Sequence, residues 1–243
     1  KFVDMKHLKT GFVILGCLLS ICSFAKIHLP SVIDNNMVLQ QQSKVALWGT
    51  TDRHAKVTIN CSWNNKTFSV NPVADGSWKI LVQTPAAGGP YRIVFSDGDK
   101  LVLSNVLIGE VWICSGQSNM EMPVAGFRNQ PVANSNRILM EADNPEIRIF
   151  SLARNLSVTP LKDGKSSGWQ AEDAATVKKF SAVGYQFAKM IQETLKVPVG
   201  IIGTYWGGTM IEAWMSAESL GSFSGIQIPK DTTGVNKNSP TVL

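Results

Sequence analysis

Apolar and polar positions change rhythm near the middle of this chain. Upstream of Asn105 they alternate in short runs at residues 44–49, 56–63, 67–70, 78–82, 91–95 and 101–103. Alternation over such lengths predicts half-buried β-strands. Asn64-Asn65, Asp75-Gly76 and Asp97-Gly98-Asp99 lie between the runs and supply turn chemistry. Short strands with frequent turns suggest a small β-sandwich over residues 26–107. Downstream, residues 106–114 are almost continuously apolar, the pattern of a strand covered on both faces. A helix is expected from about residue 132 to Glu141 and Asp143, then a strand at 147–150. Phe180, Val183, Phe187, Met190, Ile191 and Leu195 fall at helical spacing and predict one amphipathic helix over 177–195. Residues 199–203 read as another buried strand. Strand, helix, strand, helix, strand implies a parallel α/β sheet. Beyond Gly221 the chain turns polar, and Pro229, Gly234, Asn236, Asn238 and Pro240 mark loop.

The N-terminus follows neither rhythm. Met5-Lys6-His7-Leu8-Lys9 is basic, residues 11–24 are apolar, and Ser23-Phe24-Ala25 closes the run with small residues at its first and third positions. This pattern predicts a secretory signal peptide cleaved after Ala25, with residues 1–4 upstream of its start. The apolar run is short for a bilayer span. The expectation is a secreted protein, periplasmic if bacterial, with no stable membrane span after signal cleavage. The formal charge of +5 is partly that of the leader, and the remaining Lys and Arg are scattered. No basic stripe interleaves with aromatics, so nucleic acid is not expected as a partner. Of the four cysteines, Cys17 and Cys22 fall in the leader, whereas Cys61 and Cys114 sit in separate predicted strands and read as two buried thiols. No Cys/His cluster has zinc spacing, and neither a metal nor an organic cofactor is expected.

The candidate chemistry lies at the end of the 106–114 run, in Gly116-Gln117-Ser118-Asn119-Met120. Open α/β sheets bind ligands at their strand ends, and Gly116 allows a sharp turn there. Met120 rules out the Gly-x-Ser-x-Gly elbow of the α/β-hydrolases. Taken alone, a serine after a strand is more often a helix cap or turn residue. A nucleophilic serine also needs a base for its proton, and the three histidines, His7, His28 and His54, all lie upstream. His28 and His54 read as solvated or structural residues of the β-rich part.

The flanking sequence decides between these roles. Val111-Trp112-Ile113-Cys114-Ser115-Gly116-Gln117-Ser118-Asn119-Met120-Glu121-Met122-Pro123 resembles the first block of the sialate O-acetylesterase family, within the SGNH-hydrolase superfamily. The stretch from Val197 through Gly203-Thr204-Tyr205-Trp206-Gly207-Gly208-Thr209 to Trp214 is similar to a second block. Leu29-Pro30, Asn36-Met37-Val38-Leu39-Gln40-Gln41 and Phe180-Ser181-Ala182-Val183-Gly184-Tyr185 also look like this family, and the motifs keep the family's order.

The resemblance implies an SGNH-hydrolase α/β domain with a flavodoxin-like parallel sheet over residues 108–243, preceded by the β-sandwich domain. It implies a serine esterase that removes acetyl groups from sugar hydroxyls, with Ser118 as nucleophile. Oxyanion donors are expected from Ser118, Gly207 and Gly208, and substrate contacts from Gln117, Asn119, Glu212 and Trp214. The partner implied is O-acetylated sialic acid or another acetylated glycan. The family completes its site with a later polar oxyanion donor and a C-terminal Asp-x-x-His, and neither precedes Leu243. The expectation is therefore an N-terminal fragment, incomplete in its esterase domain and inactive alone. The alternatives are an acetylxylan-type esterase and a non-catalytic carbohydrate-binding or accessory protein.

Overall fold

The computed structural model describes residues 26–243, so the expected signal peptide lies outside the described residues. The β-rich part begins with β1 (Ile27–His28), β2 (Val38–Gln40), β3 (Lys44–Thr51), β4 (Val57–Cys61) and β5 (Thr67–Val70). It continues through β6 (Ser77–Gln83) and β7 (Gly88–Ser96) into a long strand, β8 (Lys100–Gly116). After α1 (Ser118–Glu121) and α2 (Ser135–Met140) come β9 (Ile147–Leu152) and β10 (Ser166–Ala171). Then follow α3 (Ala174–Lys179), α4 (Ala182–Leu195), β11 (Val199–Tyr205), a 3-10 turn at Ile211–Trp214 and α5 (Ala217–Leu220).

Two sheets form. One has three strands in the order β1-β3-β6; the other runs β10-β9-β11-β8-β7-β4-β5, with β2 also paired to β8. In the β-rich part the alternation does what it predicts. Leu47, Trp78 and Val82 of the small sheet pack with Val57, Ile59, Cys61, Ile93 and Phe95 of the large one in a single apolar core. The change of rhythm at Asn105 does not break the strand. β8 pairs antiparallel with β7 up to Ile108 and parallel with β11 from Glu110 onward.

Beyond β8 the sheet is mixed. β9 and β11 run parallel to each other and to β8, but β10 is an antiparallel edge strand. Its register shifts between Ser166 and Trp169, which hides its alternation. Helix α4 packs Tyr185 and Ala188 against Cys114, Ile149 and Ile201 on one sheet face. On the other face Phe150 and Trp169 join the β-rich core.

The single helix expected over 177–195 is two. Phe180 is extended, and Ser181 caps α4 by accepting the Gly184 N–H. The backbone around the break is used elsewhere: Phe180 O accepts from Val124 N, and Ala182 N donates to Met122 O. These bonds tie the break to the segment after Ser118, so helical spacing continues across a point where the helix does not. The helix expected from about residue 132 is likewise confined to Ser135–Met140, entered through a left-handed Asn134.

Candidate active site

β8 and β11 end side by side, with Tyr205 opposite Gly116. Gly116 has φ of 141°, a value that favours glycine, and the chain turns there into α1. Ser118 opens α1 and is solvent-exposed, as are its neighbours Gln117 and Asn119. The turn after β11 folds back over this end. Trp206 N donates to Gly116 O at 3.0 Å, and the Gln117 amide donates to Thr209 O. A methyl group on Gly207 would lie 3.1 Å from Ser118 Oγ and would run into the Glu121 carboxylate. Glycine at 207 therefore permits the close approach of the two turns.

The sequence-predicted residues divide by what they touch. Gly207 lies beside Ser118, but its N–H already donates to Glu121 Oε2 and is not free for an oxyanion. Gly208 has φ of 71° and faces Lys237. Gln117 binds the opposing loop through its amide, and Asn119 projects from α1 without a hydrogen bond among the described residues. Trp214 is half-buried and donates its indole N–H to Thr209 Oγ1 at 2.9 Å. Glu212 is half-buried, with its backbone carbonyl accepting from Thr241 N.

Three charged side chains escaped the sequence reading. Glu121 forms an ion pair with Arg154, whose guanidinium also lies over the Trp206 ring at 5.5 Å from its centroid. Lys237 Nζ donates to Gly207 O at 2.7 Å. Arg154 and Trp206, together with Trp214 and Trp48, line a cavity of about 660 Å³ on the sheet face away from α4. Trp48 is 37% exposed at this cavity, whereas Trp78 is core.

Neither described histidine reaches this end. His28 lies in β1 with its ring nitrogen 3.1 Å from Asp52, and His54 follows β3 in a left-handed conformation. Cys61 and Cys114 are free and buried; burial pushes the Cys61 thiol up to about 12 and raises Cys114 as well. Tyr205 is raised by burial, and its hydroxyl accepts from Ser181 N. These groups hold their protons at neutral pH, whereas Ser118 presents an exposed hydroxyl where β8 turns into α1. No group of three or more His, Cys, Asp or Glu side chains suited to a metal occurs among the described residues.

Within the mixed sheet, the parallel strands β8 and β11 thus end in a serine turn and a glycine turn that meet. Residues 108–224 match the family described as carbohydrate esterase, sialic acid-specific acetylesterase. The sialate O-acetylesterase of Homo sapiens is 32% identical over 232 residues, which cover 86% of this chain and 43% of that protein. That of Rattus norvegicus is 30% identical over 207 residues, covering 78% of this chain and 38% of the relative. A crystal structure of a novel carbohydrate acetylesterase from Xanthomonas citri superposes with a TM-score of 0.76 at 32% identity, over 89% of this chain and 46% of that one. The chain belongs to the sialate O-acetylesterase family of carbohydrate esterases. It spans less than half the length of these relatives.

Proposed function

We propose that this chain carries the nucleophile of a carbohydrate O-acetylesterase and that Ser118 is that nucleophile. The observation that carries the reading is the packing of Gly207 against Ser118 Oγ at the joined ends of β8 and β11. Ser118 Oγ attacks the acetyl carbonyl carbon while a base takes its proton. The tetrahedral intermediate collapses, its C–O bond to the sugar breaks, and the sugar oxygen leaves with that proton. Water then attacks the acetyl-Ser118 ester and releases acetate. The oxyanion calls for donors aimed at the position where its charge develops. The Ser118 and Gly208 amides are assigned to it, because the Gly207 amide is already bonded to Glu121.

The base is assigned to protein outside these 243 residues, since His28 and His54 belong to the β-rich part. The preferred substrate is O-acetylated sialic acid, following the relatives that carry that activity in their names. The sugar is placed in the cavity lined by Arg154, Trp206 and Trp214, where indole faces suit the apolar faces of a pyranose. Residues 26–107 are taken as a separate β-sandwich domain on the strength of their two facing sheets and shared core. The leader pattern at residues 5–25 supports export, to the periplasm if the source is bacterial, and no helix among the described residues is long and apolar enough to cross a membrane.

Acetate release from O-acetylated sialic acid and from acetylxylan, measured with full-length protein and its Ser118→Ala variant, tests this function. Release that disappears in the variant is expected. Undiminished release would remove Ser118 from the mechanism, and preference for acetylxylan would reassign the substrate.

A further inference from the structure

We propose that Glu121 is a positioning residue that fixes the Gly207-Gly208 turn opposite Ser118, with Arg154 as the cation that orients its carboxylate. This rests on the reading of Ser118 as nucleophile. Glu121 follows Ser118 by three positions in α1, so both project from the same side of that turn. Its two carboxylate oxygens have separate tasks: Oε2 accepts the Gly207 N–H and Oε1 meets Arg154. The Glu121 side chain is 15% exposed and that of Arg154 49%, so the carboxylate is the inner member of the pair. Hydrogen bonds to an ionised acceptor are stronger than neutral ones. Arg154 is in turn steadied by the face of Trp206, the residue that begins the turn.

The opposite side of Gly207 is held as well. Its carbonyl accepts from Lys237 at 2.7 Å, so both polar atoms of this residue are bound to charged side chains. The arrangement spans four separated segments and converges on the glycine nearest Ser118 Oγ. It gives Gly207 a structural use for its amide and leaves the neighbouring amides to the oxyanion. Glu121 thus acts through the turn, without touching the reacting atoms.

The test compares Glu121→Ala and Glu121→Gln with wild type in full-length protein. The readouts are steady-state deacetylation of an O-acetylated sugar and amide hydrogen exchange at Gly207. Misplacing a catalytic group by about 1 Å is costly, so Glu121→Ala should lower kcat by about 100-fold at unchanged KM. It should also speed exchange at Gly207. Glu121→Gln, whose amide oxygen can still accept from Gly207, should recover most of kcat and keep the amide protected. Wild-type kcat with a protected Gly207 amide in Glu121→Ala would overturn the proposal. So would a Gln variant that keeps the Gly207 amide protected yet is as impaired as the Ala variant, which would separate the loss from the holding of the turn. Unchanged turnover in Ser118→Ala would instead overturn the nucleophile reading, and the exchange comparison would still decide whether Glu121 holds the turn.

Discussion

The two halves of β8 are one strand with two different surroundings. From Lys100 to Val106 the strand pairs with β7, and Leu103 and Val106 enter the β-rich core. At Val106, Leu107, Ile108 and Gly109 it is buried at four successive positions, where β2, β7 and the neighbouring layers meet. From Glu110 onward it pairs with β11, and Trp112 and Ile113 are 43% and 68% exposed. The stretch from Val106 to Gly109 is fixed by burial at every position. The stretch from Glu110 onward pairs with β11, places Cys114 in the α4 core and Trp112 against Phe187, and ends in a turn held by charged groups. Burial and the proposed chemistry thus lie at different stretches of the same strand.

The strongest way to break this comparison is to ask whether the open end works without a base. The 243-residue chain alone should hydrolyse 4-nitrophenyl acetate several orders of magnitude more slowly than full-length protein, because an unassisted serine lacks most of a triad's rate. Rapid turnover that is lost in Ser118→Ala would show that a base lies within these residues. The buried stretch should give the largest stability effect. Ile108 is fully buried, and Ile108→Ala should cost about 2–5 kcal/mol in denaturant unfolding.

Glu172 sharpens the comparison from the other sheet face. Its carboxyl is buried and accepts from the Tyr185 hydroxyl at 2.9 Å, while Oε2 has no hydrogen-bond partner among the described residues. Burial raises its pKa above the ordinary 4.5, outweighing the Tyr185 hydrogen bond. A raised folded pKa contributes stability below the unfolded value, and that contribution is lost as pH rises through the folded value. Glu172→Gln should therefore stabilise the protein relative to wild type by an amount that grows from about pH 4.5 toward neutrality, read from unfolding midpoints at each pH. An equal effect at every pH would contradict the burial account. The smallest change is expected at the exposed half of β8, where Ile113→Ala in the 243-residue chain should shift stability by about 0.5 kcal/mol or less.

Alternation and turn residues made the β-rich strands legible, because one face of each is buried and the period is local. Periodicity missed two features that depend on distant partners. Ser181 breaks the 177–195 helix because its neighbours bond to residues 122–124, which spacing does not report. β10 lacks clean alternation at its register shift near Gly168. At the site, Ser118 and Gly207 were visible through their flanking blocks. Glu121 stands inside the Val111–Pro123 stretch with no role that its flanks define, and Arg154 and Lys237 lie 33 and 116 positions from it in sequence. A lone acidic residue between two methionines, three positions after the serine, was the available signal.

The most direct measurement is capture of the acyl-enzyme. Full-length protein mixed with an O-acetylated sugar and quenched in acid should yield a peptide containing Ser118 that carries one additional acetyl group, and Ser118→Ala should yield none. Acetate release with no acetyl on that peptide, or with the label on another residue, would contradict the assignment of Ser118 as the nucleophile.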